Sequence, residues 1–267
     1  MTVFPLNNPL ATRAEPSTKR QVVAALTCGA IGISLLSLTA NLLWINGISF
    51  GRQAMLLFDV DQEKSLATWW AAVTLAVLAV VTWFVGLARG FTCNKERLAW
   101  FALSAGFLFL SIDESCMLHE RIGGKVELEG SFTYARWIII WLPLALLCGS
   151  VVLWMLWRMS SRMVIGLIIG AGVFLTGAVG TEVVNSQNRY AAATSERSAL
   201  EAYDFEETQP LEITGKENYA YIAGTALEEF LEMLGVVIWF GVILGVHHEF
   251  QSRSRDPKPE KLRLADA

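Results

Sequence analysis

Gly224-Thr-Ala-Leu-Glu228-Glu229-Phe-Leu-Glu232-Met-Leu-Gly235 is an apolar stretch with three carboxylates inside it. Its reading decides the fold. The uncharged part of this segment runs only from Met233 to Val246, shorter than the roughly 20 apolar residues of an ordinary spanning helix. The residues that follow settle the reading. Arg253, Arg255, Lys258, Lys261 and Arg263 make a basic tail, as expected of a cytosolic end. We therefore read about 220–246 as a membrane span that carries its acids with it.

The rest of the chain agrees with a membrane protein. It has 267 residues, 54% of them hydrophobic and 17% charged, and a mean hydropathy of +0.44. That is too apolar for an ordinary soluble domain. Five further apolar runs fall at about 21–45, 66–88, 98–119, 136–157 and 163–184. The expected fold is all-α: an integral membrane bundle of six transmembrane helices with both termini cytosolic. Lysine and arginine positions support this layout. Thirteen lie in the two tails and the second and fourth connections, against eight in the other three, longer connections. All tryptophans except Trp239 fall near expected helix ends, as interface belts do.

The expected organisation is a cytosolic tail over 1–20, a transmembrane domain over 21–250, and a basic cytosolic tail over 251–267. The first span is too long for a signal-peptide core and is expected to be retained. Four cysteines suggest no disulfide framework. The net charge of −4 mixes two compartments, and no basic patch points to nucleic acid. A long outside connection is expected at about 185–219, with seven acids against three bases. Within it, Ser195 to Tyr203 can open a short helix on an N-cap serine. The fifth span carries Gly166, Gly170, Gly172, Gly177 and Gly180; the Gly166-x3-Gly170 spacing predicts close helix packing.

A second acidic stretch reads Phe107-Leu-Phe-Leu-Ser-Ile-Asp113-Glu114-Ser-Cys-Met-Leu-His119-Glu120. A charge at the bilayer centre costs roughly 2.5–3.5 kcal/mol on insertion scales. Three unpaired carboxylates in one helix would therefore cost about 8–10 kcal/mol, comparable with the stability of a whole domain. They must be protonated, paired, hydrated in a cavity or bound to a cation. Topology places Asp113, Glu114, His119 and Glu120 at the outer end of the third span and Glu182 at that of the fifth. The acids of the sixth fall in its outer half. Separate helices thus deliver acids to one side of the membrane.

Helix angles sharpen the picture. At about 100° per residue, Glu228, Glu232 and Glu229 share one face. Asp113 and Glu120 differ by about 20°, with Cys116 beside them, whereas Glu114 and His119 are about 140° apart. Carboxylates with one imidazole suit a hard or borderline cation, and clustered acids can relay protons. The alternative is structural: Glu120 and Glu182 paired with Arg121, Lys125 and Arg136 at the interface. Sharper chemistries fail. Di-iron bundle sites use two Glu-x-x-His pairs, and Cys116 precedes His119 by three. His247 and His248 lie at the cytosolic end, away from His119. Asp59-Val-Asp61-Gln-Glu63 starts like a calcium loop, but Lys64 stands where the turn glycine belongs, so a solvated lead-in to the second span is expected.

The runs Ser111-Ile-Asp113-Glu114-x4-His119-Glu120 and Glu228-Glu229-x2-Glu232-Met233-Leu234-Gly235 resemble an uncharacterised family of bacterial multi-pass inner-membrane proteins. Phe58-x-Val60-Asp61-x-Glu63 followed by Thr68-Trp69 is similar to that family's lead-in to its second span. The resemblance covers most of the membrane core and implies a bacterial inner-membrane location.

These readings converge on a periplasm-facing, carboxylate-rich pocket between the third, fifth and sixth spans. Asp113, Glu114, His119, Glu228, Glu229 and Glu232 would hold a metal ion or protons, with Cys116, Glu120 and Glu182 around them. A divalent metal ion is the cofactor such a pocket would take. The partners expected are the lipid bilayer and a small or lipid-soluble ligand from the periplasmic side. Three functions stay open at this point: a cation site, which could serve a membrane-embedded metalloenzyme; a proton-coupled transporter; and a non-catalytic accessory or sensor subunit.

Overall fold

The computed structural model describes residues 16–48, 50–61, 65–87, 94–123, 135–157, 160–202 and 218–255. Its helices are α1 (Pro16–Ile45), α2 (Gly51–Phe58), α3 (Leu66–Leu87), α4 (Asn94–Cys116), α5 (Leu118–Gly123), α6 (Ile138–Leu156), α7 (Ser161–Leu175), α8 (Glu182–Ala202) and α9 (Tyr219–Arg255). A π-helical turn, Thr176–Thr181, joins α7 to α8 without a break. No strand occurs among the described residues. Six helices are long and apolar enough to cross a membrane: 18–45, 66–87, 94–116, 138–156, 161–192 and 219–246. The acid-bearing sixth stretch is among them.

Their outer surfaces show why. Leu35, Val80, Phe84, Leu147 and Trp154 are more than half exposed. Water would penalise so much apolar area at about 25 cal/mol per Å², whereas lipid does not. The two described chain ends share one end of the bundle, since the Lys19 amine lies against Gly245. We call the opposite end the far end.

α9 is the hub of the bundle and packs against α1, α3, α7, the π turn and α8. α3 and α4 form the tightest pair. α6 is peripheral, touching α4 and α5, and Leu156 is its buried residue. The larger core includes Leu78, Val85, Trp100, Leu156, Met163 and Ile243 and fills the half nearer the chain ends. A smaller one, with Ala30, Ile33, Val60, Ala67 and Met233, lies toward the far end.

The glycines of α7 act as expected. A Cβ on Gly166 would come within 2.5 Å of Val242, and one on Gly170 within 2.6 Å of Trp239. Gly170→Ala is expected to destabilise by about 1–3 kcal/mol, the range for overpacking a filled core. The Trp239 indole cannot yield, because Nε1 donates to the Leu167 carbonyl at 3.1 Å while Phe107 and Phe174 pack on the ring. Gly172, with nothing within 4 Å of an added Cβ, is the control. Thermal unfolding of both alanine variants in detergent checks this, and equal effects would refute the packing account.

Two expectations need correction. No loop opens near Asn185: α8 runs on to Ala202. The short helix expected from Ser195 is the end of that same element. A polar segment can stay helical past the bilayer because its backbone bonds are internal, so polarity alone did not mark the break. The rest of the expected connection, 203–217, and the two tails beyond 16 and 255 lie outside the described residues. The described part of the lead-in to α3, residues 59–61, is not simply solvated either. Asp59 is buried and accepts a hydrogen bond from Asn41 Nδ2 at 2.8 Å.

Candidate functional site

α4 ends at Cys116 because Met117 adopts a left-handed backbone, φ +54°. Such a conformation costs a side-chain-bearing residue about 1–2 kcal/mol. The break lets the chain fold back on α4. The Asp113 carboxylate then accepts from the His119 backbone N–H at 2.8 Å through Oδ1, and faces His119 Nδ1 at 2.9 Å through Oδ2. A carboxylate can only accept, so the shared proton sits on Nδ1 and the lone pair of a neutral ring lies on Nε2. The imidazole is further oriented by Trp137, edge-on at 5.2 Å. A histidine steered in this way by a carboxylate is the arrangement that tunes metal-ligating imidazoles.

The same break overturns the angular argument for α4. Angles measured along one continuous helix do not carry past Met117. Glu114 and His119, expected about 140° apart, come within electrostatic reach of each other. The pairing of Asp113 with Glu120 loses its basis; the Glu120 side chain lies outside the described residues. So do those of His247 and His248.

On the opposite wall, α9 presents Glu228, Glu229 and Glu232. The π turn brings Gly177 against them: a Cβ there would lie 2.7 Å from the Glu228 carbonyl oxygen and 3.0 Å from Glu232 Cγ. Glu182 opens α8 directly after the turn and comes within hydrogen-bonding reach of Glu228. Two carboxyl groups make such a contact only with a proton or a cation between them. One turn later, Asn185 Nδ2 donates to Glu228 Oε2 at 3.0 Å and lies 3.3 Å from Thr225 Oγ1. Asn185 is 2% exposed, and its Oδ1 has no hydrogen-bond partner. That oxygen fits only because residue 224 is glycine.

The structure brings these walls together. Glu229 senses Glu232, Glu114, Asp61 and Glu182; Glu232 senses Glu114, Glu182 and Asp113. Glu228 is buried, whereas Glu229, Glu232 and Glu114 keep accessible surface although protein packs densely around them. These acids form one cluster, half-buried at Glu114, Glu229 and Glu232. α4 does not pack closely on α9 there; it reaches α9 through Phe107, 5.0 Å from the Trp239 ring. Phe107, Trp239 and Phe174 pack on one another two turns below Glu232 along α9. Cys116 is exposed at the end of α4 and does not join the buried group.

Sequence reasoning missed Asp61, Tyr221 and Asn185. Tyr221 is buried and donates to Asp61 at 2.9 Å, which brings Asp61 toward the acids of α9. Glu182 and Asn185 are three residues apart, one helical face, and that spacing would have shown both had α8 been read as continuous. A groove of about 460 Å³ between α3 and α4, lined by Ser65, Thr68, Trp69, Ser111 and Ser115 among others, contains none of the acids. The Ser111 and Ser115 hydroxyls there already bond backbone carbonyls.

Among the described residues, no three His, Cys, Asp or Glu side chains stand together at the spacing of a metal site. The acids cluster without forming a closed coordination shell. No curated protein and no solved structure matches the chain. One family model, described as a domain of unknown function (DUF8692), matches residues 23–246. That range runs from inside the first membrane-length helix to the end of the sixth, so this multi-pass helical membrane protein belongs to the DUF8692 family.

Proposed function

We propose that the clustered acids line a hollow that binds a cation, most simply a divalent metal ion, from the far side of the membrane. The observation that carries this reading is the convergence of Glu182, Glu228, Glu229 and Glu232 with Glu114 and Asp61. Acids at membrane depth must be neutralised, and carboxylates with one imidazole form a hard-to-borderline donor set. Asp113 would orient His119, and Glu120 and Cys116 would stand outside the ligands. Ligation requires small side-chain movements that draw the carboxylates inward, which their accessible surface permits. The reading includes a bacterial inner membrane with both chain ends cytosolic, so that the hollow opens to the periplasm. A lipid-soluble or small periplasmic substrate would then meet the metal ion there, as in a membrane-embedded metalloenzyme.

One observation favours a second reading. Glu182 and Glu228 lie close enough to share a proton, as a proton-coupled carrier requires. The aromatic cluster of Phe107, Trp239 and Phe174 weighs against a through-route and ranks this reading second. Metal analysis of detergent-purified protein, with Mn²⁺ titration after EDTA treatment, separates the two. About one ion per chain, lost in Glu229→Gln, is expected. No stoichiometric ion, with Mn²⁺ response unchanged by Glu229→Gln, would sink the cation reading.

A further inference from the structure

The π turn at Thr176–Thr181 is unusual for its position as well as its type. Wide turns of this kind are rare and amount to one extra residue inserted into an α-helix. This one lies in mid-span, within 161–192. It is made of Thr-Gly-Ala-Val-Gly-Thr, and two of its residues are glycines with weak helix preference. Gly177 touches the Glu228 carbonyl and Glu232, and Glu182 and Asn185 follow immediately.

We propose that this turn is a two-register device that sets whether α8 engages α9. In the π register seen here, the extra residue faces Glu182 and Asn185 toward Glu228. Rewinding the turn to regular α geometry would rotate everything after it by about 100°, the angle of one residue. Asn185 and Glu182 would then leave Glu228. α8 runs on as a polar helix to Ala202, past the apolar run that ends near Val184. The rotation would therefore carry the state of the acid cluster along this polar helix. The Asn185–Glu228 hydrogen bond is the latch of the π register. Asn185 Nδ2 also lies 3.3 Å from Thr225 Oγ1 on the same helix α9, so both of its contacts belong to the π register. The inference goes beyond the cation reading and does not require a metal ion.

Thiol labelling reads the rotation. Ser186 is 3% exposed on the face of α8 that the π register hides. In a background with Cys28, Cys93, Cys116 and Cys148 replaced by Ser, Ser186→Cys is expected to react slowly with a water-soluble maleimide. Adding Asn185→Ala removes the latch and is expected to speed labelling at least tenfold. Deleting Val179 makes the turn regular while keeping the facing of α8, and is expected to suppress that acceleration. Equal acceleration with and without the deletion would show general loosening and overturn the proposal. Should the deletion variant not fold, Gly180→Ala serves instead. Its new methyl meets only Thr176 Cγ2 at 3.8 Å, and its α-preference is expected to raise labelling about fivefold. Unchanged labelling in Gly180→Ala would refute the two registers. Every arm is run without added metal ion, so a failure here leaves the cation reading standing.

Discussion

Glu232→Gln is expected to stabilise the metal-free protein while removing its response to cations. Glu232 sits among Glu114, Glu182 and Asp113, with the Gly177 backbone against its side chain. A carboxamide has nearly the same shape and fits the same space. It removes a carboxyl that, without a cation, must be held neutral among other acids, a cost that Gln does not carry and that is worth about 1–2 kcal/mol. The gain should appear as greater resistance to unfolding in detergent with EDTA. The wild type should recover the difference when Mn²⁺ is added, since a ligand at 100 times its Kd stabilises by about 2.7 kcal/mol. The Gln variant should gain nothing from the ion. If the acids merely fasten the helices, the signs reverse: Glu232→Gln loses stability in EDTA and the ion has no effect on either protein. That outcome would remove the site and leave the fold intact.

Gly224→Ala is expected to cause the largest loss of stability of any alanine substitution on α9. Its methyl would overlap the Asn185 side-chain oxygen. Asn185 is buried and holds Glu228, so displacing it breaks the hydrogen bond that a buried amide and a buried acid share. Breaking one side of a buried polar pair typically costs about 3–5 kcal/mol. Asn185→Ala relieves the overlap, so the double variant should be more stable than the sum of the two single losses predicts. Unfolding midpoints of the two single variants and the double variant form the test. Strict additivity would show that Gly224 and Asn185 do not act on each other.

Much of this was legible along the chain. The six spans were readable because a membrane helix writes its own signal: a run of apolar residues long enough to cross lipid, whatever it packs against. The packing role of Gly166 and Gly170 was readable for a similar reason, because small residues four apart make a groove on any helix. The presence of acids at membrane depth followed from Glu228, Glu229 and Glu232 standing inside an apolar run.

Other features were hidden, each for a physical reason. Met117 ends α4 by taking a left-handed backbone that its side chain does not favour, so no glycine or proline announced the break. The extra residue of the π turn leaves no mark in composition. Asp61 reads as a surface acid until Tyr221, 160 residues away, is seen to bond it.

By itself the sequence determined that this chain lives in lipid, crosses it six times and carries acid where lipid should be, because burial in a bilayer is a property of each segment alone. Only the tertiary structure decided that those acids cluster, that Asp113 bonds His119, and that Asn185 bonds Glu228. Such contacts depend on how distant helices rotate and approach. The rotation is set by a strained residue and one wide turn, whose energies of about 1–3 kcal/mol are too small to leave a pattern in the residues.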